Sequence, residues 1–268
     1  MWLKLFPCTK PHNKFSEVVH IFESTNSSIY KGLYDNKEVA IKYCYYDAKR
    51  EIENLSVLKG VDGVLQLFHS EYKKKESVLI FEFCHGGDLF TWVKTSLDKT
   101  LIKVIMRILV KNVLICHEKG IIHCDIKLDN IGLLVKNDIN TLTILDFGSS
   151  IKVQDYVPEK HNFVISPQYA APELCRQEII KSENLQHIDF WSLGIVAYIL
   201  ATGCYPAHKI SQDCHCDPHF KSVIGPIKWD KCEFEHDFNI FLHGLLDRDV
   251  YKRYNDTTIR NDKWLFGK

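Results

Sequence analysis

Up to about Phe83, apolar and polar residues alternate and β-branched and aromatic types are frequent, the pattern of half-buried strands. SSIYKGLYDNKEVAIKYCYY (residues 27–46) reads as two strands joined at Asp35–Asn36, the second carrying Lys42. The period then lengthens. DAKREIENLSVLKG (Asp47 to Gly60) predicts a helix capped by Asp47, with Ile52, Leu55 and Leu58 as its apolar stripe and Gly60 as its stop. SVLIFEFCHGGDLF (Ser77 to Phe90) predicts a strand followed by a loop at Gly86–Gly87. LIKVIMRILVKNVLICHEKG (Leu101 to Gly120) predicts an amphipathic helix with Lys103, Arg107 and Lys111 on one face. That basic ridge reads first as a solvated face and second as a docking surface. Two short apolar runs follow, Ile131 to Val135 and Thr141 to Leu145. The polar segment KNDIN between them predicts an antiparallel hairpin. Leu193 to Ala201 is the longest greasy stretch; at that length it is a core helix and not a membrane span.

The hairpin organises the candidate chemistry. A hairpin brings its open ends together, so Asn130, leading in, and Asp146, leaving, are expected side by side. Asp125 and Lys127 lie just upstream in HCDIKLDN (His123 to Asn130). Two carboxylates, a carboxamide and an ammonium in one place suit Mg²⁺ shared with substrate phosphates. The bland alternative is a polar turn that satisfies its own backbone.

The charge balance narrows the partners. With 34 basic and 34 acidic residues, nothing favours nucleic acid or a membrane surface. The N-terminus, MWLKLFPCTKPH, is broken by Lys4 and Pro7 and has no secretory apolar region. Ten cysteines without such a signal point to reduced thiols in the cytoplasm or nucleus. There is no internal repeat and no signal of oligomeric state.

HxDxKxxN followed by DFG resembles the catalytic loop and metal motif of eukaryotic-type protein kinases. AIK ending at Lys42, APE at Ala171 to Glu173, a DxWSLG stretch from Asp189, and Arg253 closing LLxxDxxxR then fall in the family's order. The likeness runs from about Ile21 to Tyr254. It implies an α+β bilobal kinase fold. A small antiparallel β lobe with one short αC-like helix would span 1–84 and a helix-rich lobe 85–268, one kinase domain over about 15–265, with ATP between the lobes. It further implies that Asp125 takes the proton of the attacking hydroxyl and that Lys127 neutralises charge on the γ-phosphoryl group. Asn130 and Asp146 would hold Mg²⁺, with Mn²⁺ a substitute. Lys42 would hold the nucleotide phosphates, partnered by Glu51. Ile21, Ile29, Ala40, the backbone of Glu82 and Cys84, and Asp88 would surround the base and ribose, with Phe81 as gatekeeper. Ser166 would bridge Asp125 and Lys127, Glu173 would pair with Arg253, and Asp189 would hold the catalytic-loop backbone. Lys127 in DIKLDN resembles serine/threonine kinases more than tyrosine kinases. A narrower likeness is to the kinases of large DNA viruses, baculovirus kinases in particular; it implies a basic, DNA-condensing acceptor protein.

The chain departs from the pattern in several places. Phe22, Ser24 and Ser27 stand where the glycine-rich loop has its glycines, which should keep the backbone farther from phosphate while leaving Ser24, Thr25, Asn26 and Ser27 as donors. Glu51 follows Lys42 by only nine residues, about half the family's separation, which puts their pairing in question. Gly132 thins the adenine floor. Cys124 replaces the arginine of HRD, and Ile151 to Ile165 contains no Ser or Thr and only Tyr156. Those two absences agree with an activation segment that Ser/Thr phosphorylation does not switch. Outside the pattern, Cys214, His215, Cys216 and His219 with Cys232 and His236 offer a zinc set, Cys214, Cys216, Cys232 and His236 being the nearest to tetrahedral ligation. A loop rich in Cys and His by chance is the stronger reading. The sequence therefore predicts an active serine/threonine kinase acting on protein, with a pseudokinase scaffold as its rival.

Overall fold

The computed structural model describes residues 15–73, 75–93, 97–206 and 235–267. The chain divides into two compact units, one of residues up to 59 together with 65–84, the other of 60–64 and 85 onward.

The first unit is an antiparallel sheet with one helix. Its strands are β1 (Phe15–Glu23), β2 (Ser27–Tyr34), β3 (Lys37–Cys44), β4 (Leu67–Glu71) and β5 (Ser77–Glu82), in the order β1-β2-β3-β5-β4. The β2–β3 turn is Asp35–Asn36, both at positive φ (48° and 61°), which short polar side chains tolerate and which matches the twist of a two-residue hairpin. Alternation along β3 sends Val39 and Ile41 into a core with Ile80, and Ala40 and Lys42 to the other face.

Helix α1 (Lys49–Val57) is shorter than the predicted helix. Asp47 is not its N-cap: that position is Ala48 and has no side-chain cap, although Asp47 Oδ1 accepts the Lys49 N–H at 3.0 Å. The buried face also differs. Glu51, Asn54, Leu55 and Leu58 are buried, whereas Ile52 is half-buried. The ion pair described below draws the helix round toward Glu51.

The second unit is mostly helical. Helix α2 (Leu89–Trp92) precedes α3 (Lys99–Glu118), which Asp98 caps by accepting the Thr100 N–H at 2.8 Å. The ridge on α3 serves the chain itself. Lys103 lies over the Trp264 ring at 5.8 Å, and Arg107 Nε donates to the Leu265 carbonyl, so two of its three cations clamp the C-terminal helix α8 (Lys263–Phe266). After β6 (Ile121–Ile122) comes the expected hairpin, β7 (Ile131–Leu133) and β8 (Leu142–Ile144), with Ile131 opposite Ile144. Residues 60–64 join this unit because Gly63 O accepts the Ile144 N–H at 2.9 Å. Strand β9 (Ile151–Lys152) pairs with β6, and the short α4 (Pro172–Cys175) follows.

Helix α5 (Gln186–Thr202) is buried on nearly every side, as a helix apolar all round must be. A Cβ on Gly194 would stand 2.7 Å from Leu246, so only glycine permits that approach. Gly203, at φ 70°, ends the helix in the left-handed conformation. Helices α6 (His236–Leu245) and α7 (Asp256–Arg260) complete the unit, the latter opened by a capping box between Asn255 and Thr258. No described helix is long and apolar enough to cross a membrane.

Candidate functional site

Each unit holds one cluster of chemistry-bearing side chains. In the first, Lys42 Nζ meets Glu51 Oε1 at 2.7 Å, with only 8% and 1% of the two side chains exposed. The short separation in sequence does not prevent the pair. Tyr45 to Ala48 cross from β3 to α1 in one short step, and Tyr46 from that step donates its hydroxyl to Glu51 Oε2 at 2.5 Å. Burial first, and the Glu51 charge second, push the Tyr46 phenol far above its ordinary range, so it stays a donor. Tyr46 went unnoticed in the sequence because an aromatic beside a strand reads as packing.

The other candidates of this unit share the sheet with Lys42. Ile29 is opposite Lys42 and Phe81 opposite Ala40, and directly opposed residues lie on one face, so these four form a continuous surface. Ile21 sits at a bulge of β1 and is half exposed. Glu82 donates its own N–H to Gln66 O at 3.1 Å. Cys84 ends the unit, and burial, with the Glu82 charge, raises its thiol to about 12.

The turn where glycines were absent closes on itself. Ser24 Oγ accepts the N–H groups of Asn26 (3.3 Å) and Ser27 (3.0 Å), and Ser24 N–H donates to Ser27 O at 2.8 Å. The expectation that Ser24 to Ser27 present donors is thus corrected for three backbone N–H groups, which the turn itself uses. A serine at the start of a tight turn does this because its hydroxyl reaches the amides two and three residues on.

In the second unit the polar loop is built around Asp125. Its Oδ2 accepts from Lys127 Nζ at 2.7 Å and from Asn130 Nδ2 at 3.1 Å; Asn130 Nδ2 also reaches the Asp125 carbonyl at 2.9 Å. Lys127 Nζ further donates to Ser166 Oγ at 2.8 Å. The bridging atom is therefore the lysine ammonium, which joins Asp125 to Ser166, and not the serine hydroxyl. Asp125 Oδ1 is buried and has no hydrogen-bond partner among the described residues. An unpaired buried carboxylate oxygen is costly, and it persists where a ligand completes it.

Asn130 and Asp146 flank the hairpin as expected. Leu145 N–H donates to Asn130 O at 2.9 Å, one residue from Asp146. Asp146 adopts a left-handed conformation (φ 57°, ψ 82°) and its Oδ1 accepts the Gly148 N–H at 3.3 Å. With Nδ2 directed to Asp125, Asn130 has Oδ1 to offer a cation. An amide and a carboxylate oxygen suit Mg²⁺, which keeps waters and shares phosphate oxygens. Asp88 caps α2, its Oδ1 accepting the Thr91 N–H at 2.6 Å, so half its carboxylate is engaged.

Behind the loop lies Asp189, fully buried. It accepts the His123 and Cys124 N–H groups, each at 2.8 Å, and fixes the loop backbone where Cys124 is held at φ 65°. His123 bonds Leu145 O through Nε2 at 2.9 Å, and its ring meets Phe147 edge-on at 4.8 Å. His117, which sequence reading missed, sits between Asp189 Oδ2 (3.0 Å) and Asp256 Oδ1 (2.9 Å). Burial alone would lower its pKa, but the two carboxylates raise it to about 9. Burial would raise Asp189, and His117 more than reverses this, so its carboxyl lies below the usual range. The available signal was a histidine four residues after Val113 on the apolar face of α3.

Glu173 and Arg253 form a two-pronged buried pair at 2.6 and 3.0 Å. The guanidinium also donates to the carbonyls of His187 and Asp247, both at 2.9 Å, and lies 5.0 Å from the Trp191 ring centre. Removing one member of such a pair costs about 3–5 kcal/mol. Of the speculative zinc set, Cys214, Cys216 and Cys232 lie outside the described residues, as do His215 and His219; His236 begins α6. Among the described residues no group of three His, Cys, Asp or Glu side chains is placed to hold a metal ion.

Comparison with known proteins adds the family. The profile of the protein kinase domain matches residues 14–265. The chain is 33% identical over 188 residues to CBL-interacting serine/threonine-protein kinase 17 of Arabidopsis thaliana, covering 69% of this chain and 42% of that protein. It is 28% identical over 246 residues to CBL-interacting serine/threonine-protein kinase 12 of the same plant, covering 90% and 47%. It is 33% identical over 230 residues to calcium-dependent protein kinase 19 of Oryza sativa subsp. japonica, covering 82% and 40%. The chain thus spans less than half the length of these curated relatives.

Proposed function

Since the chain belongs to the protein kinase domain family, we propose that it transfers the γ-phosphoryl group of ATP to serine and threonine hydroxyls of proteins. The observation that carries this reading is the division of labour on Asp125. Oδ2 is fixed by Lys127 and Asn130, while Oδ1 is buried without a partner among the described residues. An acceptor hydroxyl donates to Oδ1, which orients its oxygen and takes its proton as the new P–O bond forms and the bond from the γ-phosphorus to the β,γ-bridging oxygen breaks, releasing ADP. Lys127 holds Asp125 in place, and its remaining positive field offsets charge on the transferred group. Ser166, tied to Lys127, fixes the chain that leads to Ala171–Glu173 against the loop. Lys42, oriented by Glu51, engages the nucleotide phosphates. Asn130 and Asp146 hold Mg²⁺, which when bound neutralises phosphate charge. The whole is positioning and charge stabilisation, which is what phosphoryl transfer requires.

Purified protein incubated with radiolabelled ATP, Mg²⁺ and a basic protein should label the substrate on serine or threonine. Asp125→Asn should lower the rate about 10³-fold while nucleotide binding persists. Equal labelling by both proteins defeats the reading. The rival, a scaffold with weak nucleotide binding, is favoured by one observation, the turn at Ser24 that uses its own donors. It is opposed by the intact Lys42–Glu51 pair. Calorimetry with magnesium–ATP separates the two: no heat of binding supports the scaffold. The narrower likeness to large-DNA-virus kinases adds a basic, DNA-condensing acceptor to the proposal, and the ten cysteines, read as reduced thiols, add a location in the cytoplasm or nucleus. A peptide-library profile with no preference for basic flanks would remove that acceptor.

A further inference from the structure

We propose that Tyr156 is a positioning residue for phosphoryl transfer, fastening the middle of the segment from Ile151 to Ser166 where the kinase pattern relies on a phosphorylated residue. The inference rests on the kinase reading above and adds how the segment is regulated.

The segment is tied at both ends without any phosphate. At its start β9 pairs with β6, and Val153 N–H donates to Gly120 O at 2.9 Å. At its end Ser166 Oγ accepts from Lys127 at 2.8 Å. A tether is needed between, because Asp155, Val157, Glu159 and Lys160 are all exposed. Tyr156 is the exception, only 7% exposed. Its hydroxyl donates to Ile180 O at 2.9 Å, a carbonyl beyond the segment and ahead of α5. Its ring packs on His161 at 5.4 Å and Phe163 at 6.2 Å, and those two rings meet at 4.7 Å. One side chain thus gathers both halves of the segment through two ring contacts and ties them to the body of the unit through one hydrogen bond.

The chemistry around it excludes the usual arrangement. A phosphate needs a cation, and the residue at the catalytic-loop position that would supply one is Cys124, which is buried and cannot carry a positive charge. Burial first, and the neighbouring acidic groups after it, raise the Tyr156 phenol above its ordinary value, so it stays a hydrogen-bond donor. From Ile151 to Ile165 there is no serine or threonine to modify. An aromatic fastener in place of an arginine–phosphate pair makes the segment permanently ordered.

The test compares wild type, Tyr156→Phe and Tyr156→Ala. The phenylalanine keeps the ring and loses the hydroxyl bond; it guards against a simple folding failure of the alanine. Peptide turnover should fall about threefold in Tyr156→Phe and more than tenfold in Tyr156→Ala, with the KM for ATP within about twofold of wild type. Trypsin should cut after the exposed Lys160 about tenfold faster in the alanine variant. Wild-type activity should survive phosphatase treatment. Unchanged turnover and unchanged cleavage in both variants overturn this proposal alone, as does loss of activity to phosphatase. A wild type with no transferase activity overturns the kinase reading and this proposal together.

Discussion

The turn between β1 and β2 and the loop around Asp125 are both dense in polar groups and dispose of them in opposite ways. In the turn, Ser24 Oγ and Ser27 O use the N–H groups of Asn26, Ser27 and Ser24. In the loop, Lys127 and Asn130 hold one oxygen of Asp125 and leave the other unpaired. The turn satisfies its own donors; the loop keeps one buried carboxylate oxygen without a partner among the described residues. The comparison teaches that losing glycines need not remove donors from the sequence. It redirects them, because a short hydroxyl side chain competes for the amides beside it.

The largest expected effect comes from dismantling the loop. Lys127→Ala removes the tie to both Asp125 and Ser166, and turnover should drop about 10²- to 10³-fold in steady-state assays with ATP affinity nearly unchanged. A loss confined to ATP affinity would mean that the ammonium does not serve the acceptor side.

Next comes the support beneath the loop. His117 has a folded pKa of about 9, above its unfolded value, so its stabilising effect is complete below about 6.5 and fades as pH rises through 9. Asp189 has the opposite sign: its contribution is present above the unfolded carboxyl value and is lost as acid titrates the lowered folded value. Urea denaturation followed from pH 7 to 10 should therefore lose on the order of 3 kcal/mol. His117→Gln should flatten that slope; an equal slope in the variant would assign it to other groups.

The smallest effect lies at the turn. Ser24→Gly frees the amides that its hydroxyl engages, and the KM for ATP should fall about three- to tenfold, measured at saturating peptide. No change would show that the self-closed turn does not limit nucleotide binding, which would break the contrast drawn here.

Much of this was legible in the chain. The hairpin from Ile131 to Ile144 followed from two apolar runs and a polar link, since a period of two leaves few alternatives. The turn at Asp35–Asn36 followed from residues that accept positive φ. The pairing of Lys42 with Glu51 followed from the motif order and forms despite the nine-residue separation that put it in question, because distance along the sequence says little about how tightly Tyr45 to Ala48 cross from strand to helix. In helix α1 Leu55 and Leu58 are buried as predicted, while Ile52 is only half-buried and Glu51, held by its ion pair, lies inward beside Asn54.

What the sequence determined by itself is local. Periodicity, turn residues and ordered motifs specify which elements form and which side chains carry charge, because those depend on neighbours a few residues away. What only the tertiary structure decided is which polar atoms find partners: His117 between Asp189 and Asp256, Tyr46 on Glu51, Arg107 on Leu265, Tyr156 on Ile180. Hydrogen bonds act over about 3 Å between groups whose separation in sequence is unconstrained, so the choice of partner is settled only when burial removes water as the alternative.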